Sequence, residues 1–407
     1  MAVEEHSGGK LGERKVQSFF DANIGNIITF PNAKTKRNAQ IADLLVWLNW
    51  KVMLVEVKTR VSSKMTLDQW VQERIVAAVE QITNSYSKCI SGEEIYIYND
   101  HYHVRFDNAG ASFYTGLIVL NFEGKSHVLP SVAMPDIYSR PLPIQVISYD
   151  DLEQLGQEIN TFPDLGYYLK DRFEYVREHD IPLCIEKNVI GRYKLYENRF
   201  PDCYADFESS DLWGEYQKTM NPAIERRDSH NEHSTLIDAL EGLFNNQRRL
   251  HETLPLGLLF AWEIGAMSRR ERAIVGERMD RAKLRFEQGG SRRYFSFQNP
   301  STGNWLVFLF ANANADEVSR KTELLTRLKL VKEAHFRDFE FAAYGFGFQV
   351  SSTYPIRLLG IKRAVVISSD VVKPYSEQDI QAAITIWGDE QIEKQIKILE
   401  FPPANPE

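Results

Sequence analysis

The stretch IADLLVWLNWKVMLVEVKTR, residues 41–60, limits what this chain can become more than any other part of it. It holds two apolar runs that each carry one acid: Asp43 in IADLLVWL and Glu56 in VMLVEVK, with Lys58 two residues on. Runs of this length, rich in Val, Leu and Trp, predict two adjacent strands. A strand interior tolerates a carboxylate only when it is paired, neutralised or given a cation. Residues two apart on a strand share a face, so Glu56 and Lys58 project together. If the chain reverses at Asn49-Trp50, Leu48 faces Lys51, and further out along the pair Asp43 falls opposite Glu56. Directly opposed side chains place their Cβ atoms roughly 5 Å apart. Two ionised carboxylates at that distance repel by about 3 kcal/mol at an effective dielectric near 20. A shared divalent cation removes that repulsion, and hard oxygen ligands favour Mg²⁺ or Mn²⁺. A lysine beside such a pair can orient a metal-activated water or stabilise charge developing in a transition state. The plainer alternative, a Lys58–Glu56 ion pair at a sheet edge, explains the lysine and one acid but leaves Asp43 unexplained.

The rest of the chain sets the frame. At 407 residues it is long enough for two or three domains, and 43% hydrophobic with 26% charged residues is a globular composition. No apolar run approaches the roughly 18 residues of a membrane span, and MAVEEHSGGK lacks the pattern of a secretory leader. Three scattered cysteines, Cys89, Cys184 and Cys203, make neither a disulfide framework nor a Cys-rich zinc site. These features predict a soluble, reduced, cytoplasmic protein with no membrane partner. The formal net charge of −8 excludes a uniformly basic nucleic-acid coat. Charge is nevertheless uneven. Between Pro31 and Lys64 stand seven Lys/Arg (Lys34, Lys36, Arg37, Lys51, Lys58, Arg60, Lys64) against Asp43 and Glu56. Arg269 to Arg293 holds nine Lys/Arg against four acids, while 150–215 is acidic. Basic patches on an acidic protein suit local phosphate contact, although a solvated helix face explains the second equally simply.

Periodicity predicts helices over 10–22, with Val16, Phe19 and Phe20 on one stripe, and over 67–88, with Val71, Ile75, Ala78, Val79, Ile82 and Tyr86 on another. Strands are expected at 27–30, 114–122 and 144–148, followed by a helix from Leu152 capped by Asp150 or Asp151 and a further helix over 165–179. The stretch 201–222 reads as irregular connecting chain. Beyond it, helices are expected at 234–250, 268–287, 315–334 and 376–398, with strands at 304–311 and 363–368. This order predicts an α/β or α+β layered fold in three segments: a domain over 1–185, a connecting segment over 186–224 and a second α/β or α+β domain over 225–407.

Asp43, twelve intervening residues and then Glu56-Val57-Lys58 on a strand pair resemble the catalytic core of the PD-(D/E)xK nuclease superfamily, the restriction-endonuclease-like fold. The chain is most similar to its nuclease-related-domain and Holliday-junction-resolvase-like branches, over about residues 8–180. Glu13 in GERKV matches the glutamate that those branches carry on the preceding helix, and Gln81 in AAVEQITNSY matches their glutamine on the following one. Ala42 stands where the family has a proline, and Tyr86 lies five residues after Gln81 rather than four. The resemblance implies a mixed sheet flanked by helices and a metal-dependent phosphodiesterase, with DNA the favoured substrate and a role in restriction, repair or defence against phage. It implies that Asp43, Glu56 and the Val57 carbonyl hold Mg²⁺ or Mn²⁺ with support from Glu13, that Lys58 activates or orients water, and that Gln81 positions water or phosphate. Nucleic-acid contacts are then expected from Lys34, Lys36, Arg37, Arg60 and Lys64, and from Arg292 and Arg293 in GGSRRYF. Cutting two strands needs two sites, which is compatible with a homodimer, and the C-terminal domain is expected to recognise a target, a partner protein or a triggering ligand. Two rival readings stand beside this one: a catalytically silent nuclease-like binding module, and a nuclease gated by a ligand-sensing C-terminal domain. His230 and His233 have zinc-compatible spacing but no accompanying cluster, YGFGF (344–348) reads as strand or turn, and no P-loop motif is present.

Overall fold

The chain divides into two compact units, Met1–Asn231 with Gln247–Leu254, and Glu232–Asn246 with Pro255–Glu407. The computed structural model describes residues 2–122, 142–220, 262–328, 343–350 and 361–368, apart from short stretches inside the first three ranges. The helices expected at 234–250 and 376–398, with His230 and His233, lie outside the described residues.

In the first unit, α1 (Ala2–Phe20) runs into a π-helical turn over Asp21–Gly25 and buries Val16, Phe19 and Phe20. Strands β1 (Thr29–Pro31) and β2 (Lys34–Thr35) precede the central pair, β3 (Leu44–Leu48) and β4 (Lys51–Arg60). That pair is antiparallel in the predicted register, Leu48 opposite Lys51 and Leu44 opposite Val55. Helix α2 (Leu67–Ile90) opens with a capping box between Thr66 and Gln69 and buries Val71, Ile75, Ala78, Val79 and Ile82 of the predicted stripe, while Tyr86 is only half-buried. There follow β5 (Ile95–Tyr98), β6 (His103–Arg105), β7 (Phe113–Phe122) and β8 (Ile144–Ser148). The main sheet has the order β1-β3-β4-β7-β8, antiparallel at β1/β3 and β3/β4 and parallel at β4/β7 and β7/β8. A smaller sheet, β2-β5-β6, is antiparallel.

Helices cover both faces of the main sheet, as the continuous burial of β7 demands. A Cβ on Gly116 of β7 would meet Ile82 of α2, and one on Gly12 of α1 would meet Thr59 and Asn121. Positions 116 and 121 point to opposite faces of β7, so α1 and α2 flank the sheet from opposite sides. This is a mixed α/β unit with a five-stranded mixed sheet between helices.

Three expectations are corrected here. The cap of α3 (Tyr149–Glu158) is Ser148, whose hydroxyl accepts from the Asp151 amide; Asp150 and Asp151 fill the first turn instead. The helix expected from 165 starts earlier, as α4 (Phe162–His179). The supposed connecting segment carries α5 (Glu186–Leu195) and α6 (Leu212–Met220), so 201–222 is not all irregular. Both helices belong to the first unit. Val189 and Leu212 share a buried cluster with Tyr175 and Val176 of α4. Arg172 of α4 makes a buried ion pair with Glu186 of α5, and Tyr168 donates its hydroxyl to the same carboxylate at 2.5 Å.

In the second unit, α7 (Arg269–Glu287) precedes a sheet ordered β12-β11-β10-β9, where β9 is Arg292–Gln298, β10 Trp305–Asn312, β11 Ala343–Val350 and β12 Ile361–Ser368. β10/β11 is parallel and the flanking pairs are antiparallel. YGFGF is strand. Of the helix expected over 315–334, 322–328 is helical among the described residues.

Candidate active site

The acid in β3's approach sits one residue before the strand begins, because Asp43 is where the chain bends into β3. Its main chain is fixed from several directions. The Asp43 carbonyl accepts from Asn32 at 3.1 Å, Ile41 donates to the Ala33 carbonyl at 2.7 Å, and Ser85 of α2 donates its hydroxyl to the Ile41 carbonyl. Strand β4 continues past the last β3 partner, Val55. Where the ladder stops, Oδ2 of Asp43 accepts from the Val57 amide at 2.8 Å and takes the place of a strand neighbour. Oδ1 accepts from the Gln40 side-chain amide at 3.0 Å.

Glu56 is buried at 5% exposure, and its carboxylate lies within hydrogen-bonding reach of the Asp43 carboxylate. Lys58, on the same face of β4, donates to Oε2 of Glu56 at 3.1 Å. Burial pushes the Glu56 carboxyl up to about 7; Asp43 pushes the same way and Lys58 offsets part of the rise. Glu13 is half-buried on α1. Its carboxyl is raised, first by burial and then by Asp43, while Lys58 and Lys10 pull it down. Gly12 makes this approach possible: a Cβ there would sit 1.9 Å from Oγ1 of Thr59, so only a bare backbone lets α1 come this close to β4. Asn121 donates to that same Thr59 hydroxyl at 3.4 Å.

Four of the residues read from the sequence are therefore brought together: Asp43, Glu56 and Lys58 in contact, and Glu13 within electrostatic reach. Val57 joins them through its amide. Gln81 does not. It lies on the exposed side of α2, and among the described residues no contact ties its side chain to the cluster. Tyr86 packs edge-on against Tyr114, at the end of β7 far from Lys58. The expected phosphate contacts are thinned as well. Arg60 donates to the Met65 carbonyl at 2.8 Å, and Lys36 is ion-paired with Glu94 at 2.9 Å. Lys34 is half-buried and Arg37 exposed, while Lys64 lies outside the described residues. Arg292 and Arg293 open strand β9 instead of sitting in a loop, and Arg272 of the second basic run is buried, donating to the carbonyls of Met267 and Gly265. Sequence reasoning missed Gln40, Gly12 and Ser85. Gly12 alone left a trace, as a glycine directly before Glu13.

The donor set fits a hard divalent cation. Two carboxylates share one spot, and one of them is held above its ordinary range by burial and then by its neighbour Asp43, with Lys58 offsetting only part of the rise. Among the described residues there is no group of three or more His, Cys, Asp and Glu placed to hold a metal, so the set is two carboxylates, with Glu13 further out. Such a set leaves positions for main-chain oxygen and water, as Mg²⁺ and Mn²⁺ prefer and structural zinc does not. No helix among the described residues is long and apolar enough to cross a membrane. Compared with protein-family models, with curated proteins and with solved structures, the chain matches none.

Proposed function

We propose that the first unit is a metal-dependent phosphodiesterase of the PD-(D/E)xK type, acting on nucleic acid and most simply as a DNA endonuclease in restriction, repair or defence. The observation that carries the reading is the juxtaposition of Asp43, Glu56 and Lys58 where β3 begins and β4 continues past it. Stability alone gives no reason to bury a second carboxylate against the first. Asp43, Glu56 and the Val57 carbonyl would hold Mg²⁺ or Mn²⁺, with Glu13 in support. A bound Mg²⁺ supplies Lewis acidity and a water acidic enough to attack phosphorus near neutral pH.

The chain's own residues do the rest. Lys58 places a fixed ammonium beside the reacting centre, where it orients the attacking water and stabilises negative charge gathering on the phosphoryl oxygens. Asp43 is kept from swinging away by the Val57 amide and by Gln40, so the site is preorganised. Glu13 is displaced toward its protonated form, and it can relay a proton at the rim. Incubating the full chain with plasmid, linear DNA and RNA, in Mg²⁺, Mn²⁺ or EDTA, tests the reading. Cleavage that needs the metal and disappears in Asp43→Ala supports it; metal-independent cleavage, or none of any substrate, contradicts it.

A further inference from the structure

The small sheet β2-β5-β6 has one buried face and one open face. Thr35, Ile95, Ile97 and Val104 alternate inward and are buried. The inner side is fastened by Phe106, which packs edge-on against Trp47 of β3 at 5.1 Å, and by Asn99, which donates to the Thr29 carbonyl at 3.0 Å. The outward positions are Lys34, Tyr96, Tyr98, His103 and Arg105. Lys34 pairs with Tyr96, and Tyr96 with Arg105, so these three form a row across the strands. In the next row Tyr98 pairs with His103, whose ring meets those of Tyr96 and Tyr98 at 6.2 and 6.3 Å.

Aromatic rings with basic residues between them, open to solvent, are what successive unstacked bases and their phosphates need. Tyr98 is 40% exposed and the Arg105 side chain 59%. The charge balance fits as well. Lys34, Arg105 and, at the turn after β2, Lys36 and Arg37 stand against Glu94, which bridges Lys36 and Arg105. Glu93 and Asp100 lie beyond the ends of β5. A duplex keeps its bases stacked on one another and has no use for the rings, so the occupant is single-stranded.

The platform also points at the candidate active site. Lys34 is bridged on its other side to Gln40, the residue whose amide holds Asp43. The row Gln40, Lys34, Tyr96, Arg105 thus runs from the acid to the far edge of the sheet, roughly 14 Å at ordinary strand spacing. We infer that the outer face of β2-β5-β6 binds single-stranded nucleic acid and leads it to the Asp43–Glu56–Lys58 site. The destination rests on the phosphodiesterase reading; the binding does not.

Binding of labelled short oligo-dT, oligo-rU and a blunt duplex to the full chain in EDTA, followed by fluorescence anisotropy over a salt series, tests this without catalysis. A single strand is expected to bind more tightly than the duplex. Tyr98→Ala is expected to weaken it roughly five- to a hundredfold, as for one lost stacked base. Tyr98→Phe, which keeps the ring, should bind like the parent, and Arg105→Gln should flatten the salt dependence. Photo-crosslinking of iodo-uracil strands to the unsubstituted protein should map to 96–105, and it decides the matter even if Tyr98→Ala does not fold. No binding by the parent, preference for duplex, an unaltered Tyr98→Ala, or crosslinks elsewhere would overturn the inference. A protein that binds through Tyr98 but cleaves nothing would instead contradict the phosphodiesterase reading and leave the platform standing.

Discussion

Glu56 is the residue on which the physics of the site turns. Its carboxyl titrates near 7 in the fold, against about 4.5 when unfolded, so the folded protein holds the extra proton between those values. Stability linked to this proton is fully present below pH 4.5 and is lost as pH rises through 7. The metal-free protein should therefore lose up to about 3 kcal/mol across that window. Glu56→Gln should remove most of this slope, and Mg²⁺ should restore stability at the alkaline end. Melting temperatures in EDTA at intervals from pH 4.5 to 8 check this; a parent as steep as Glu56→Gln would be inconsistent with a buried, strained carboxylate. The pairing of Asp43 with Glu56 was legible because a strand's period of two leaves few registers open. Gln40 was not: an exposed glutamine in a polar loop looks like any other until the loop folds back on Asp43.

Among elements, α1 shows how one residue sets an approach. Gly→Ala inside a helix ordinarily stabilises by up to about 1 kcal/mol. Gly9, with nothing near its absent Cβ, should follow that rule. Gly12→Ala should have the opposite sign, destabilising by about 1–3 kcal/mol through overpacking against Thr59, and Thr59→Ala should recover part of the loss. Thermal melts of the three variants test it, and a stabilised Gly12→Ala would contradict this account of how α1 carries Glu13 to the site. Strands β3, β4, β7 and β8 could be read because each is dominated by apolar residues, β-branched or aromatic ones among them, with few polar interruptions. Helices α5 and α6 could not, since each is short and only part of each is apolar; what makes them is packing onto α4 and the Arg172–Glu186 pair, which joins residues of separate elements. Gln81 shows a related limit: its spacing places it on α2, and there its side chain is exposed.

At the scale of the whole molecule, the first unit ends well after the boundary expected at 185. A chain stopped after Ile185 loses Glu186 and leaves the buried Arg172 guanidinium with the Gln145 side chain and the Val146 carbonyl but without the Glu186 carboxylate, at a cost of about 3–5 kcal/mol. It should lack a cooperative melt, whereas a chain stopped after Leu254 should keep one; equal behaviour of the two would contradict the assignment of α5 and α6 to this unit. The central claim is that Asp43, Glu56 and Lys58 form a catalytic centre and not a structural ion pair. Lys58→Ala separates the two, because it keeps both carboxylates while removing the charge that serves the transition state. Its Mg²⁺-dependent cleavage rate relative to the parent should fall on the order of a thousandfold, with apo melting little changed. Cleavage equal to the parent's, or a loss of stability with activity intact, would contradict it.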